Sequence, residues 1–471
     1  MQEGYHDFIV LDRGHDVGGT WRDNCYPGAS SDVPGDLYSY SFALNPEWTC
    51  NYPAQPETLD YMRYCAAKYG VYPHCKFGHE IQKVAWNEMR QIWEVGSSRG
   101  MYTCKIMIFA MGVLTAPVYP KFQGLDEFSK TEGNKVFHSS RWDYSHNLRG
   151  RKVAVIGTGA SAIQIIPAIQ PQVGKLLVMQ RTPHWIVPRY NAKRSRLLKW
   201  LYRNIPGVQM LVRNMWYWLF ELVVLPMVYH YKYMAPFQVL STIPMRMQIK
   251  DSKLRTKLTP NYLIGCKRIL FHTEYYRTMT EPNVSLITDK IEKFEPHHLV
   301  TENGVRHEVD TVVLATGFRA PDQPFAHIVY GRGGKLMTEA WRDNMSAYNG
   351  TTVPGFPNAF ILLGPNTWLG QNSILIMIES QINYVIHALK YMAENHLNTI
   401  EVSEKALAEY DEMIAKKQRN SVWTKGGCNS YYLDSKGRSP INWPDFVYTF
   451  YRRTRRFDAE NYDSMPHKIS G

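Results

Sequence analysis

The segment Gly157-Thr158-Gly159-Ala160-Ser161-Ala162 follows a short apolar run, Val153 to Ile156, and opens a longer one, Ala160 to Ile169. The first run reads as a buried strand and the second as a helix, which puts the glycines at a strand-to-helix turn. Glycines there let the backbone approach a ligand, while the helix start offers unpaired amides and partial positive charge. That combination suits the pyrophosphate of a dinucleotide. Gly157, Thr158, Gly159, Ala160 and Ser161 would cradle it, with Gln164 farther along the helix. The alternative is a tight turn that binds nothing. The next apolar run, Leu176 to Met179, ends at Gln180-Arg181-Thr182. A unit that binds NAD places an acid here for the ribose 2′-hydroxyl, whereas Arg181, beside Thr182, suits a 2′-phosphate through charge-assisted bonds. NADPH is therefore expected over NADH.

These residues must be carried by strands alternating with helices. Strand-like runs recur at Phe8 to Leu11, Thr311 to Leu314 and Ala359 to Leu363, with helical stretches such as Ser380 to Glu394 between and after them. That alternation indicates an α/β fold built on parallel sheet. One segment stands apart: Trp200 to Met234 is dense in Trp, Tyr, Leu, Met and Val, and Glu221 and Pro226 interrupt it. Its uninterrupted apolar length falls short of the roughly 20 residues a bilayer span needs. A helical lid or substrate-side insertion is the first reading, attachment to a membrane surface the second.

The chain has 471 residues, 44% of them hydrophobic and 20% charged, which excludes wholesale disorder or a fibrous repeat. Its net charge of +12 fits a polyanionic cofactor, a nucleic acid or an anionic membrane. The basic residues are dispersed and accompany no nucleic-acid module, so no nucleic-acid partner is expected. The seven cysteines form no CxxC pair and do not alternate with histidines at ligand spacing. Free thiols in a reducing cytosol, and no metal site, are the expectation. Met1 to His6 lacks the form of a secretory signal, which points to a cytoplasmic protein.

A second constellation lies near the N-terminus. Gly18-Gly19-Thr20-Trp21 is followed after four residues by Tyr26-Pro27-Gly28, and then by Asp32. With Phe122-x-Gly124 and His138-Ser139-Ser140-Arg141-Trp142-Asp143, this resembles the paired signatures of Baeyer–Villiger monooxygenases. The resemblance continues through Gln180 to Trp185, Gly265-Cys266-Lys267-Arg268, Leu314 to Phe318 and Gly364-Pro365-Asn366-Thr367, so it covers most of the chain.

That resemblance implies two Rossmann-like dinucleotide-binding domains and a reaction in which NADPH reduces FAD, O2 adds to the flavin, and a C4a-peroxyflavin inserts one oxygen atom into an apolar ketone. It implies catalytic roles for Arg268, as the cation that stabilises developing negative charge, and for Asp32, as its carboxylate partner. Asp12 would hold the FAD ribose; Gly19, Thr20, Trp21, Tyr26, Pro27 and Tyr38 would lie along FAD. Lys267 would join Arg181 at the 2′-phosphate, and His138 would position the domain linker and NADP. The expected division is 1–147 and 309–471 for a discontinuous FAD domain, and 148–308 for the NADP domain with a helical insertion at about 195–260. In the family a βα unit with its own GxGxxG precedes the strand at Phe8 to Leu11. Here the FAD domain lacks that first βα unit, with Met1 to Gly4 as the tail of its helix. A misplaced start or a truncated gene is favoured over an enzyme that works without the loop. Other readings are an N- or S-oxygenating flavin monooxygenase and a non-catalytic NADP-binding relative. Oligomeric state stays open.

Overall fold

The strands that matter for the site are short and parallel: β1 (Val10–Asp12), β2 (Cys75–Phe77), β3 (Met107–Phe109), β4 (Lys135–His138), β5 (Lys152–Ile156), β6 (Lys175–Met179), β7 (Val284–Ile287), β8 (Thr311–Leu314) and β9 (Ala359–Ile361). The computed structural model describes residues 4–466 except 320, 321, 342–344, 371, 429, 431, 435 and 436, without the side chains of Val224, Leu225 and Pro466. The helix tail expected over Met1 to Gly4 falls almost wholly outside the described residues.

Five strands form one parallel sheet in the order β7-β6-β5-β8-β4. Alternate residues face opposite sides of a strand. Here both sides are covered. Val153, Val155, Leu176, Val178 and Val313 pack with helix α1 (Ala162–Ile169) on one face. Ala154, Ile156, Leu177, Met179, Val312 and Leu314 pack with Phe128, Phe294 and Leu299 on the other. This is why these strands read as continuous apolar runs rather than as alternating ones. The order reverses at β5, so the loops after β5 and β8 leave the sheet side by side. In open α/β sheets that is where ligands sit.

Around the N-terminal constellation the pairing is different. β1 pairs only with β2, and β3 pairs with β9, in two separate parallel ladders. Among the described residues no strand pairs with both ladders, although Leu11 packs on the core that holds Phe109 and Ile361, and apolar side chains near their edges stay open to solvent: Ile9 is 47%, Val10 41% and Ile108 46% exposed. The strand expected at Phe8 to Leu11 is displaced to Val10–Asp12. Phe8 instead stacks on His74, with 4.1 Å between ring centroids.

Between β6 and β7 the chain forms helices α2 (Arg196–Asn204), α3 (Val208–Val224), α4 (Ala235–Gln248) and α5 (Ser252–Leu258). The Ser195 hydroxyl accepts from the Leu198 amide and caps α2; Asp251 caps α5 by accepting from the Lys253 amide. An ion pair buried on both sides ties this insertion to the Asp32 loop. Arg194 donates to the two oxygens of Asp36 at 2.8 and 2.6 Å. Helix α6 (Ile374–Glu394) lies behind β9, where Val385, Ala388 and Met392 cluster with Phe360.

One expectation is overturned. The cysteines are not all free thiols: Cys266 and Cys428 form a disulfide, while Cys25, Cys50, Cys65, Cys75 and Cys104 are free. The bonded residues are 162 positions apart. No local spacing can announce such a pair. The fold makes it, by setting the residue just ahead of Lys267 against the loop that follows the short helix Val422–Lys425.

Candidate active site

Gly157 has φ +114°, and a Cβ there would lie 2.4 Å from the Ala315 carbonyl oxygen. Only glycine lets the loop after β5 pass so close to the loop after β8. Two residues on, nothing lies within 4 Å of where a Gly159 Cβ would be. The turn thus presents open space over the start of α1, a shape that fits a pyrophosphate. The Thr158 hydroxyl donates to the Thr182 carbonyl at 3.1 Å, which fixes the glycine turn to the strand end that carries Arg181.

Arg181 is exposed and Lys267 half-buried. Burial lowers the Lys267 ammonium pKa, and the nearby Arg181 charge lowers it further. Two cations so placed repel each other until an anion arrives. The Lys267 ammonium also sits over the Tyr262 ring, 5.2 Å from its centroid. These residues fit the 2′-phosphate of NADP.

Next to Lys267, Arg268 meets Asp32. Its Nη2 and Nε donate to one oxygen of Asp32 at 2.5 and 3.1 Å, although 236 residues separate the two. Both side chains are about one-quarter exposed, at 25% and 28%. Trp21 donates from Nε1 to the Tyr38 hydroxyl at 3.1 Å, with the rings edge to face. Burial raises the Tyr38 phenol pKa. Asp12, at the end of β1, accepts from the Gly14 amide at 2.6 Å. Gly19 has φ +46° and no atom within 4 Å of a would-be Cβ, which leaves the strand-to-helix turn before Trp21 accessible. The ribose and ring ends of FAD therefore find suitable groups.

The Tyr26-Pro27-Gly28 step packs directly on α1. The Tyr26 hydroxyl donates to Gln164 Oε1 at 3.2 Å, and Gln164 Nε2 donates to the Ser30 carbonyl at 3.0 Å. Gly28 has φ +81°, and its Cβ would fall 2.5 Å from the Gln164 carbonyl. Gln164 and Tyr26 thus join the two dinucleotide units to each other. Arg189 adds a third tie by donating to the Ser31 carbonyl at 2.6 Å.

His138 ends β4 and is fully buried. Its Nδ1 accepts from the Ser140 amide at 3.1 Å, which puts the ring proton on Nε2. Nε2 makes no hydrogen bond of good geometry. Burial pushes the imidazole pKa down to about 4, against a smaller opposing pull from the Gly317 backbone. Phe318 stands edge-on to the ring, 5.7 Å between centroids, so the histidine sits at the crossing between units. There Thr316 donates to the Val118 carbonyl at 2.6 Å.

Sequence reasoning did not find Asp36, Arg194, Gln209 and Arg213. Arg213 on α3 donates to the carbonyls of Asp36, Leu37 and Ser39 at 3.0, 2.9 and 2.9 Å. Together with the Arg194–Asp36 pair, it fixes the stretch that runs from Asp32 to Tyr38. The polar positions on an otherwise apolar helix were the available signal.

Comparison with known proteins follows the same lines. Residues 25–195 match the family described as "Pyridine nucleotide-disulphide oxidoreductase"; the bonded cysteines lie outside that span, and the five within it are free. The chain is 43% identical over 463 residues to a Baeyer-Villiger monooxygenase of Pseudomonas aeruginosa, covering 98% of this chain and 87% of that protein. It is 40% identical to one of Streptomyces coelicolor, with 98% and 89% covered. The crystal structure of OTEMO in complex with FAD and NADP superposes with a TM-score of 0.85 at 25% identity, over 97% of this chain and 94% of that one. The chain belongs to the Baeyer–Villiger monooxygenase family, whose two Rossmann-like domains its fold reproduces.

Proposed function

We propose that Arg268, oriented by Asp32, is the cation that meets the oxygen of an apolar ketone in this NADPH-dependent FAD monooxygenase. The overall reaction consumes a ketone, O2, NADPH and a proton, and yields an ester or lactone, NADP+ and water. When bound, FAD supplies the chemistry that takes electrons from NADPH and activates O2.

The chain's residues then do four things. The Gly157–Ser161 turn and the Arg181–Lys267 pair hold NADP by its pyrophosphate and 2′-phosphate. Asp12 takes the FAD ribose, with Gly19, Thr20 and Trp21 along the flavin side. Arg268 faces the carbonyl oxygen as negative charge grows on it. Its guanidinium stays protonated, and the two bonds to one Asp32 oxygen hold its plane, so little reorganisation is needed. Finally, the buried cluster of Trp185, Met227, Val228, Met234, Ile264 and Trp423 around Cys266 keeps water from the Lys267–Arg268 loop and favours an apolar substrate. His138, neutral at working pH, holds the crossing between units rather than moving a proton.

The observation that carries this reading is the Arg268–Asp32 pair, two residues remote in sequence and adjacent in space.

The test uses the protein purified with bound flavin. Arg268→Ala should lower ester or lactone formation by about 100-fold or more, the usual effect of losing a charge-stabilising donor. NADPH oxidation should persist, with reduced oxygen released as peroxide. Normal ester or lactone yield from the variant would remove Arg268 from the mechanism.

A further inference from the structure

Helix α3 carries its polar face inward. Gln209, Arg213 and Glu221 fall on one side, at spacings of four and eight, and all three are buried. Gln209 donates to the Asn45 carbonyl at 2.7 Å, and Arg213 to the carbonyls of Asp36, Leu37 and Ser39. Glu221 accepts from Asn372 at 3.0 Å and from the Val447 amide at 2.9 Å. The apolar side looks outward: Leu211 is 69%, Trp218 56% and Leu222 62% exposed. A helix on the surface of a water-soluble protein shows the reverse arrangement.

The helices before and after it in the chain also expose apolar side chains. Leu197 and Trp200 on α2, and Phe237, Leu240, Ile243 and Met247 on α4, are exposed as well. Exposed bulky apolar side chains so numerous on three successive helices mark a contact with something outside the chain. Its charge says what kind. Between residues 191 and 260 there are twelve Lys and Arg, and the only acids are Glu221 and Asp251, against a net charge of +12 for the whole protein. Arg196, Arg203, Lys232, Arg246, Lys250 and Lys253 stand exposed among the apolar side chains.

We propose that α2, α3 and α4 form a docking surface for an anionic lipid bilayer, lying in the interface with their apolar side chains among the acyl chains and their basic residues at the phosphates. Bulky apolar and indole side chains beside Lys and Arg are the composition such a surface requires. Contrary to the expectation from its interrupted apolar run, the helical stretch Val208–Tyr229 is long and apolar enough, by length and composition, to cross a membrane. It does not do so, because Arg213 and Glu221 are committed to partners in the protein and would lose them at the bilayer midplane. A second copy of the chain on the same face would bring two strongly positive surfaces together, whereas anionic headgroups neutralise one.

The flavin-loaded protein should float with vesicles of phosphatidylcholine containing about one-third phosphatidylglycerol, and bind vesicles of phosphatidylcholine alone about tenfold more weakly. Binding to the anionic vesicles should weaken as salt rises. The double variant Trp218→Asp/Leu222→Asp alters only exposed positions; it should keep its circular dichroism and flavin content and stay in solution. Failure of the parent protein to bind anionic vesicles, or equal binding by the double variant, would overturn the proposal. So would a parent dimer that ignores vesicles and that the variant converts to monomer, since the occupant would then be a second copy.

Discussion

Replacing Lys267 and Arg181 separately by alanine should weaken NADPH and leave NADH untouched. The size of the effect follows from where each cation sits. A hydrogen bond to a charged group contributes about 1.5–3 kcal/mol when shielded from water, and an exposed ion pair about 1 kcal/mol or less. Lys267 is half-buried and Arg181 exposed. Lys267→Ala should therefore cost about 2 kcal/mol, roughly 30-fold in the NADPH dissociation constant, and Arg181→Ala about 1 kcal/mol, roughly fivefold. The double variant should lose more than the product of the two, because removing Arg181 relieves the repulsion that depresses Lys267, so the single variant understates the loss. Dissociation constants from flavin-reduction kinetics at varied NADPH and NADH would measure this. The pH dependence has a definite sign. The Lys267 pKa is lowered, so the ammonium is charged below that depressed value and lost as pH rises through it. NADPH affinity should accordingly decline at a lower pH than an ordinary lysine would dictate, and Lys267→Ala should abolish that decline. An equal loss of NADH and NADPH affinity in the single variants would refute the 2′-phosphate role. It would mean that the pair merely shapes the loop.

The remaining expectations concern stability and covalent state. His138, His184 and His272 each have a pKa pushed down to about 4, chiefly by burial. The unfolded chain thus binds more protons than the folded one as pH falls from about 6.5 toward 4, so the stability their neutral burial allows is present at neutral pH and lost over that window; for His138 alone this is on the order of 3 kcal/mol. His138→Gln should flatten the acid limb of a urea-unfolding stability profile, and an unchanged slope would mean that the imidazole is not buried neutral. Thiol titration of the unreduced, denatured protein should find five reactive cysteines, rising to seven after reduction; seven without reductant would disprove the Cys266–Cys428 bond.

Much of the cofactor side was legible because it depends on local geometry. A strand, a glycine turn and a helix are contiguous in sequence, so Gly157 to Gln164 announce themselves. Arg181 falls at the end of the very next strand. The core strands were readable for a related reason: both faces of the parallel sheet are covered, and solvent leaves no polar gaps in β5, β6 or β8. The roles of Arg268 and Asp32 were reached by resemblance alone, since nothing in their own neighbourhoods links two residues 236 positions apart.

Local sequence thus determined that this chain builds an α/β dinucleotide unit and prefers a phosphorylated nicotinamide cofactor, because those properties follow from backbone permissiveness and from the charge at one strand end. Tertiary structure alone decided which distant groups meet. It paired Cys266 with Cys428, placed Arg194 and Arg213 on the segment after Asp32, and joined Tyr26 to Gln164 across the two units. It also decided which way α3 faces. Periodicity shows that a helix has a polar side and an apolar side. Whether the polar side turns toward water depends on whether the rest of the chain brings carbonyls, amides and carboxamides to meet it, and here Asp36, Leu37, Ser39, Asn372 and Val447 do.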